Sequence, residues 1–201
     1  MQKRIPFILL FLLILSSRQS IAQTWNWGVN TGSTIMGQTS ANKTATAPNG
    51  DVYVLGDKIG SVNFGGAPLT EFGLGDIYLA RYTSGGQLIW VRTLGGPEHE
   101  YPLGLSTDGA GNAYIAFDYE SELITVNGTA YTNAGGDTII TGVDHFIDGL
   151  VAKINPAGEW QWAIRIGGLE NDYLGDLVTD VNGNTYVGLR YGSPIAIHLR
   201  G

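Results

Sequence analysis

The sequence predicts an all-β chain assembled from a repeated unit of four short antiparallel strands. Three observations predict it. The stretch Asp76 to Gly96, DIYLARYTSGGQLIWVRTLGG, recurs 72 positions later as Asp148 to Gly168, DGLVAKINPAGEWQWAIRIGG. The Asp, the Ala-Arg/Ala-Lys pair, the turn glycine, the Trp and the Gly-Gly keep their places in both copies, and such recurrence marks a repeat architecture. Glycine reaches 30 of 201 residues while charged residues make up only 14%, a balance that suits short strands joined by tight turns. After the first 22 residues, no window of about 12 residues carries a helical period with caps.

Taken in order, residues 1–22 read as a signal peptide. Lys3 and Arg4 form a basic start, Ile5 to Leu15 is an almost unbroken apolar run, and Ser20-Ile21-Ala22 offers a small-x-small cleavage site. The apolar run is too short to span a bilayer, which needs about 20 residues. The chain has no cysteine, so a lipid-anchored form is not expected. Residues 23–39 form an N-terminal strand segment in which Trp27 opens a fainter copy of the repeat.

Residues 40–96 are the first unit, 97–168 the second and 169–201 a partial third. The match runs on past Gly-Gly: Pro97 to Tyr101 meets Leu169 to Tyr173, and Asp108-Gly-Ala-Gly-Asn-Ala-Tyr114 meets Asp180-Val-Asn-Gly-Asn-Thr-Tyr186. In the second unit the strands read as Leu103 to Thr107, Ala113 to Phe117, Gly149 to Ile154 and Glu159 to Ile166, parted by turns rich in Asp, Asn and Gly. Strict alternation would point Trp160, Trp162, Ile164 and Ile166 to one face. Tyr53 to Asp76 spans 23 residues but Tyr114 to Asp148 spans 34, so the region around Asp118 to His145 carries an insertion, as a loop on a fixed scaffold would.

Four-stranded units of this length with aromatics at matched places predict β-propeller blades, about two and a half of them. A β-sandwich is the alternative, although it does not require the module to recur. The residues Asp76-x-Tyr-Leu-Ala-Arg-Tyr, Gly86-x-x-x-Trp90, Gly95-Gly96 and Asp108-x-x-Gly-Asn112-x-Tyr114 resemble the seven-bladed β-propeller (SBBP-type) repeats of large exported proteins in Gram-negative bacteria. The resemblance covers about residues 40 to 201. It implies a secreted or cell-surface address, in many such proteins by type IX secretion, and says almost nothing of activity. Set beside rings of 4–8 blades, this chain is expected to be a fragment of a larger protein. Closure by self-association is the other reading.

Several chemistries are excluded from the start. Beyond residue 22 there are eight basic residues against 18 acidic ones, a net charge of −10, which suits neither nucleic acid nor an anionic membrane surface. Without cysteine there are no disulfides, thiolate metal sites or cysteine nucleophiles. No nucleophile elbow, HExxH or phosphate loop is present. Asp180-x-Asn-Gly-Asn184 begins like a calcium loop but has Thr185 and Tyr191 where such a loop needs Gly and Glu, so the turn reading is preferred. Glu98, His99 and Glu100 meet Glu170, Asn171 and Asp172 in the next unit, and a recurring acidic pair reads as structural. His145, with Asp144 and Asp148, lies in the unique insertion and is the weak candidate for a cation or ligand; a solvated polar loop is the simpler reading.

No catalytic or cofactor-binding residue is assigned and no cofactor is expected. The expected function is a non-enzymatic secreted or cell-surface scaffold that binds a protein or glycan through its blade loops. The alternatives are part of a quinoprotein-like propeller enzyme, suggested by the turn-then-Trp strands at Gly86 to Trp90 and Gly158 to Trp162, or a passive spacer.

Overall fold

The computed structural model describes residues 26–29, 32–33, 37–66, 69–134 and 146–192. All regular structure among them is β: β1 (Gly32–Ser33), β2 (Gln38–Thr46), β3 (Val52–Ile59), β4 (Val62–Asn63), β5 (Asp76–Tyr82), β6 (Leu88–Leu94), β7 (Glu100–Thr107), β8 (Ala113–Tyr119), β9 (Leu123–Val126), β10 (Thr129–Thr132), β11 (Asp148–Ile154), β12 (Trp160–Ile166), β13 (Tyr173–Thr179) and β14 (Thr185–Arg190). They build two four-stranded antiparallel sheets, β2-β3-β5-β6 (unit 1) and β7-β8-β11-β12 (unit 2), each ordered as in the chain. A two-stranded pair, β13-β14, forms unit 3, and no sheet closes into a barrel among the described residues.

One turn design makes four of these hairpins. At Thr83–Gln87 and Asn155–Glu159 the first residue's side-chain oxygen accepts the N–H of the fifth, and the fourth residue is a glycine with φ of 84° or 82°. That left-handed conformation is open to glycine at no steric cost, which is why the turn glycine recurs with the Trp strand. Asp108 and Asp180 open the same turn between the first and second strands of units 2 and 3.

The units stack so that their first strands, β2, β7 and β13, lie side by side. Alternation along the strands fills the spaces between them. Tyr53, Leu55, Ile77, Leu79 and Trp90 of unit 1 meet Ile115, Phe117, Leu150 and Ile154 of unit 2. The other face of unit 2, with Tyr114, Ala116, Val151 and Ile166, meets Leu174 and Leu177 of unit 3. Behind unit 1, Tyr78, Ala80 and Tyr82 are covered by Val62, Phe64 and Trp27.

Two expectations need correction. Trp160 does not share a face with Trp162, Ile164 and Ile166. A register shift leaves Gln161 between the pairs Lys153↔Trp162 and Ile154↔Trp160, and this bulge turns Trp160 toward unit 1. The insertion in unit 2 is also not loop alone. It holds the hairpin β9-β10, whose Ile124 and Val126 are buried and whose Tyr131 hydroxyl donates to the Ala163 carbonyl at 2.9 Å.

Candidate functional site

The two joints between units gather most of the buried charge, and each begins from a strand-opening aspartate. Asp76 starts β5 and Asp148 starts β11, and an ideal Cβ on Gly95 or Gly167 would stand 2.0 Å from their Oδ1 atoms. The first glycine of each Gly-Gly is therefore dictated by the carboxylate that fills its side-chain space. The second glycine gives its N–H to the next acid of the motif: Gly96 to Glu100 at 3.1 Å and Gly168 to Asp172 at 2.7 Å. This is why the second acid of the pair recurs: it closes the link between one unit and the next.

The charges are balanced differently at each joint. Asp76 accepts from Lys58 at 2.8 Å and from the Phe72 N–H at 3.1 Å, and the Lys58–Asp76 pair is fully buried. In unit 2 the place of Lys58 is taken by Tyr119, which lies beside Asp148 across the strand pair. Arg165 of β12 supplies the cation instead, 3.0 Å from Asp148, and the Ala134 N–H donates at 2.8 Å. Burial still holds the Asp148 carboxyl above its ordinary range, against the pull of Arg165.

Glu100 is buried between units 1 and 2, where it accepts from the Ser121 hydroxyl and the Gly96 N–H. Burial pushes its carboxyl up to about 7, since those bonds return less than the lost hydration. Asp118, buried on β8, is raised to about 7 by burial, with the charge of Asp148 adding to it. It accepts a hydrogen bond from the Leu174 N–H, at 2.8 Å. Asp108 moves the other way. Burial would raise it, but bonds from Asn112, Tyr114 and the turn backbone hold it below the usual range.

At the joint between units 1 and 2, the residue matching Leu174 is Pro102, which has no N–H to give. Asp57, which matches Asp118, is left at the wall of a groove of about 290 Å³ lined by Asn42, Ile59, Gly75, His99, Glu100, Tyr101 and Pro102. His99 and Tyr101 stack with ring centroids 6.1 Å apart, and the Tyr101 hydroxyl donates to Glu120 at 3.0 Å. Burial and that bond raise the Tyr101 phenol to about 12, so it stays a protonated donor. An exposed ring beside a carboxylate and a carboxamide offers both a stacking surface and hydrogen-bonding groups to a ligand.

The sequence candidates fall apart in space. His145 and Asp144 lie outside the described residues. Asp148 is not a loop ligand but a buried β11 residue paired with Arg165. Glu98, His99 and Glu100 divide among a Ser121 contact, the groove wall and the buried joint. The Asp180 oxygens are occupied by Asn182, Asn184 and their turn. Sequence reasoning missed Lys58, Arg165, Asp57 and Tyr101. Aligning Lys58 with Tyr119 and Pro102 with Leu174 was the available signal.

No family model matches the chain. Over 160 residues it is 30% identical to "Regulatory protein FlaEY" of Caulobacter vibrioides, a match that covers 78% of this chain and 16% of that protein. The chain thus spans about a sixth of the length of the curated relative it matches.

Proposed function

We propose that the chain is an exported, non-enzymatic scaffold of SBBP-type β-propeller blades that binds a macromolecular partner in the groove of Asp57, His99 and Tyr101. Units 1 and 2 are blades and unit 3 is the start of another. Stacked four-stranded meanders with their first strands side by side support this reading over a sandwich. The observation that carries the function is how the acids are used. Asp76, Glu100, Asp148 and Asp172 are occupied at the joints between units, and the groove occurs where the repeat departs from its own pattern, at Pro102. The relative's name, a regulatory protein, is compatible with a binding role and specifies no ligand.

The test is binding of the mature chain, residues 23–201, to immobilised glycan and peptide arrays. Wild type is compared with Asp57→Ala and Tyr101→Ala, each first shown to unfold at the wild-type urea midpoint. Binding lost in both variants supports the reading. Binding indifferent to both, or turnover of a substrate that survives them, sinks it.

A further inference from the structure

The groove at the first joint combines an aromatic platform, apolar walls and a polar edge. Tyr101 is 41% exposed, with His99 stacked against its ring, and Ile59 in the same lining is 42% exposed. The polar edge comes from β2 and β3. Asn42 donates its amide to Asp57 Oδ1 at 3.0 Å and to the Ser40 carbonyl at 3.2 Å. The Asn42 side-chain oxygen and the second Asp57 oxygen then stand together as acceptors.

Most of the charge around this groove is already committed. Glu100 accepts from Ser121 and Gly96, and Glu120 accepts from Tyr101. The lysines of β2 and β3, Lys43 and Lys58, pair with Asp176 and Asp76. Among the described residues Asp57 has no ion pair, so it is the lining carboxylate open to a ligand. At the second joint the matching places are closed. Tyr173, which matches Tyr101, carries the Arg190 guanidinium 5.7 Å from its ring centre, and Asp118 takes the Leu174 N–H. Among the described residues no cation lies over Tyr101.

We propose that the groove of Asn42, Asp57 and Tyr101 takes the terminal sugar of a neutral hexose glycan. This rests on the reading of the groove as the binding site and names its ligand class. A pyranose is amphipathic in the same way as the groove, with C–H bonds on its face and hydroxyls around its edge. The C–H face lies on the electron-rich face of the Tyr101 ring, and adjacent hydroxyls donate to Asp57 and Asn42. A volume of about 290 Å³ suits one end residue better than a run of chain. An acidic sugar is excluded, because its carboxylate would face Asp57 with no cation to meet it. A lysine ammonium would answer the one open carboxylate, but its strongly hydrated head would lie against Ile59 and Pro102.

The test titrates the isotope-labelled mature chain, followed by NMR, with neutral gluco-, galacto- and manno-oligosaccharides, their uronic-acid counterparts and a lysine-rich peptide. Saturable shifts of the Tyr101 and His99 ring signals are expected with a neutral oligosaccharide and not with its uronic counterpart. Tyr101→Ala should abolish that binding, while Tyr101→Phe keeps the platform and should hold it within about threefold. Asp57→Asn should weaken the neutral sugar by about tenfold or more and admit the uronic one. A peptide that shifts these rings when no neutral sugar does overturns the sugar and leaves the groove reading standing. Equal binding of neutral and uronic sugars also overturns the proposal. Shifts that avoid Asp57, His99 and Tyr101 with every probe, or no shift at all, overturn both the proposal and the groove reading.

Discussion

The joint between units 1 and 2 and the joint between units 2 and 3 are built from the same motif and finished differently. Both place an aspartate against the first glycine of Gly-Gly and tie the second glycine to a buried acid. The first joint neutralises its aspartate from the neighbouring strand through Lys58, the second from the outer strand through Arg165. The first leaves Asp57 at an open groove because Pro102 has no N–H, whereas the second closes over Asp118 with the Leu174 N–H. Conserving the fastening while changing the cation and one donor turns one joint into a sealed contact and the other into a candidate binding site.

The largest expected difference is at the cations. Lys58→Ala strands Asp76 in the interior and is expected to cost about 3–5 kcal/mol. Arg165→Ala, at a partly exposed side chain, is expected to cost about 1–2 kcal/mol because water can reach Asp148 in its place. Urea unfolding of the two variants measures both, and equal losses would break the comparison.

The acids come next. Glu100 and Asp118 hold their protons in the folded state up to about pH 7, well above their unfolded values. The folded chain therefore binds more protons than the unfolded chain between about pH 4 and 7. Stability present at the acid end of that range is lost as pH rises, by on the order of 2 kcal/mol per group. Glu100→Gln and Asp118→Asn should each flatten the fall, as read from melting temperature between pH 5 and 8. A wild-type profile that rises over this range would contradict the burial of both groups.

A smaller effect is expected at the tyrosine contact across the first joint. Tyr53 donates its hydroxyl to the Gly111 carbonyl at 2.8 Å, and Tyr53→Phe should cost about 1 kcal/mol in urea unfolding, with the aromatic packing kept. The smallest effect sharpens the comparison most. Pro102→Ala restores an N–H facing Asp57 and should change stability by about 1 kcal/mol or less while weakening any ligand held in the groove. Leu174→Pro makes the converse change, removing the donor to Asp118, and its loss in urea unfolding should exceed that of Pro102→Ala.

Much of the architecture could be read from residue order. The recurrence at 72 positions, the turn glycines and the alternation placed the strands of unit 2 within a few residues of where they lie, because these features act locally along the backbone. The face of Trp160 was misread because a bulge at Gln161 adds one residue to one strand, and only pairing with β11 reveals it. The groove left one trace in the sequence, Pro102 standing where the next unit has Leu174. Its walls come from β2, β3 and the 99–102 segment, which share no sequence motif and meet only when unit 1 packs on unit 2.

By itself the sequence determined the all-β class, the repeat and the turn glycines, since backbone conformation and side-chain alternation are properties of neighbours in the chain. Tertiary structure decided which carboxylates are buried, which cation meets each, and which joint stays open. Those outcomes depend on desolvation and on partners as far apart as Asp118 and Leu174, and neither exists until the units are stacked.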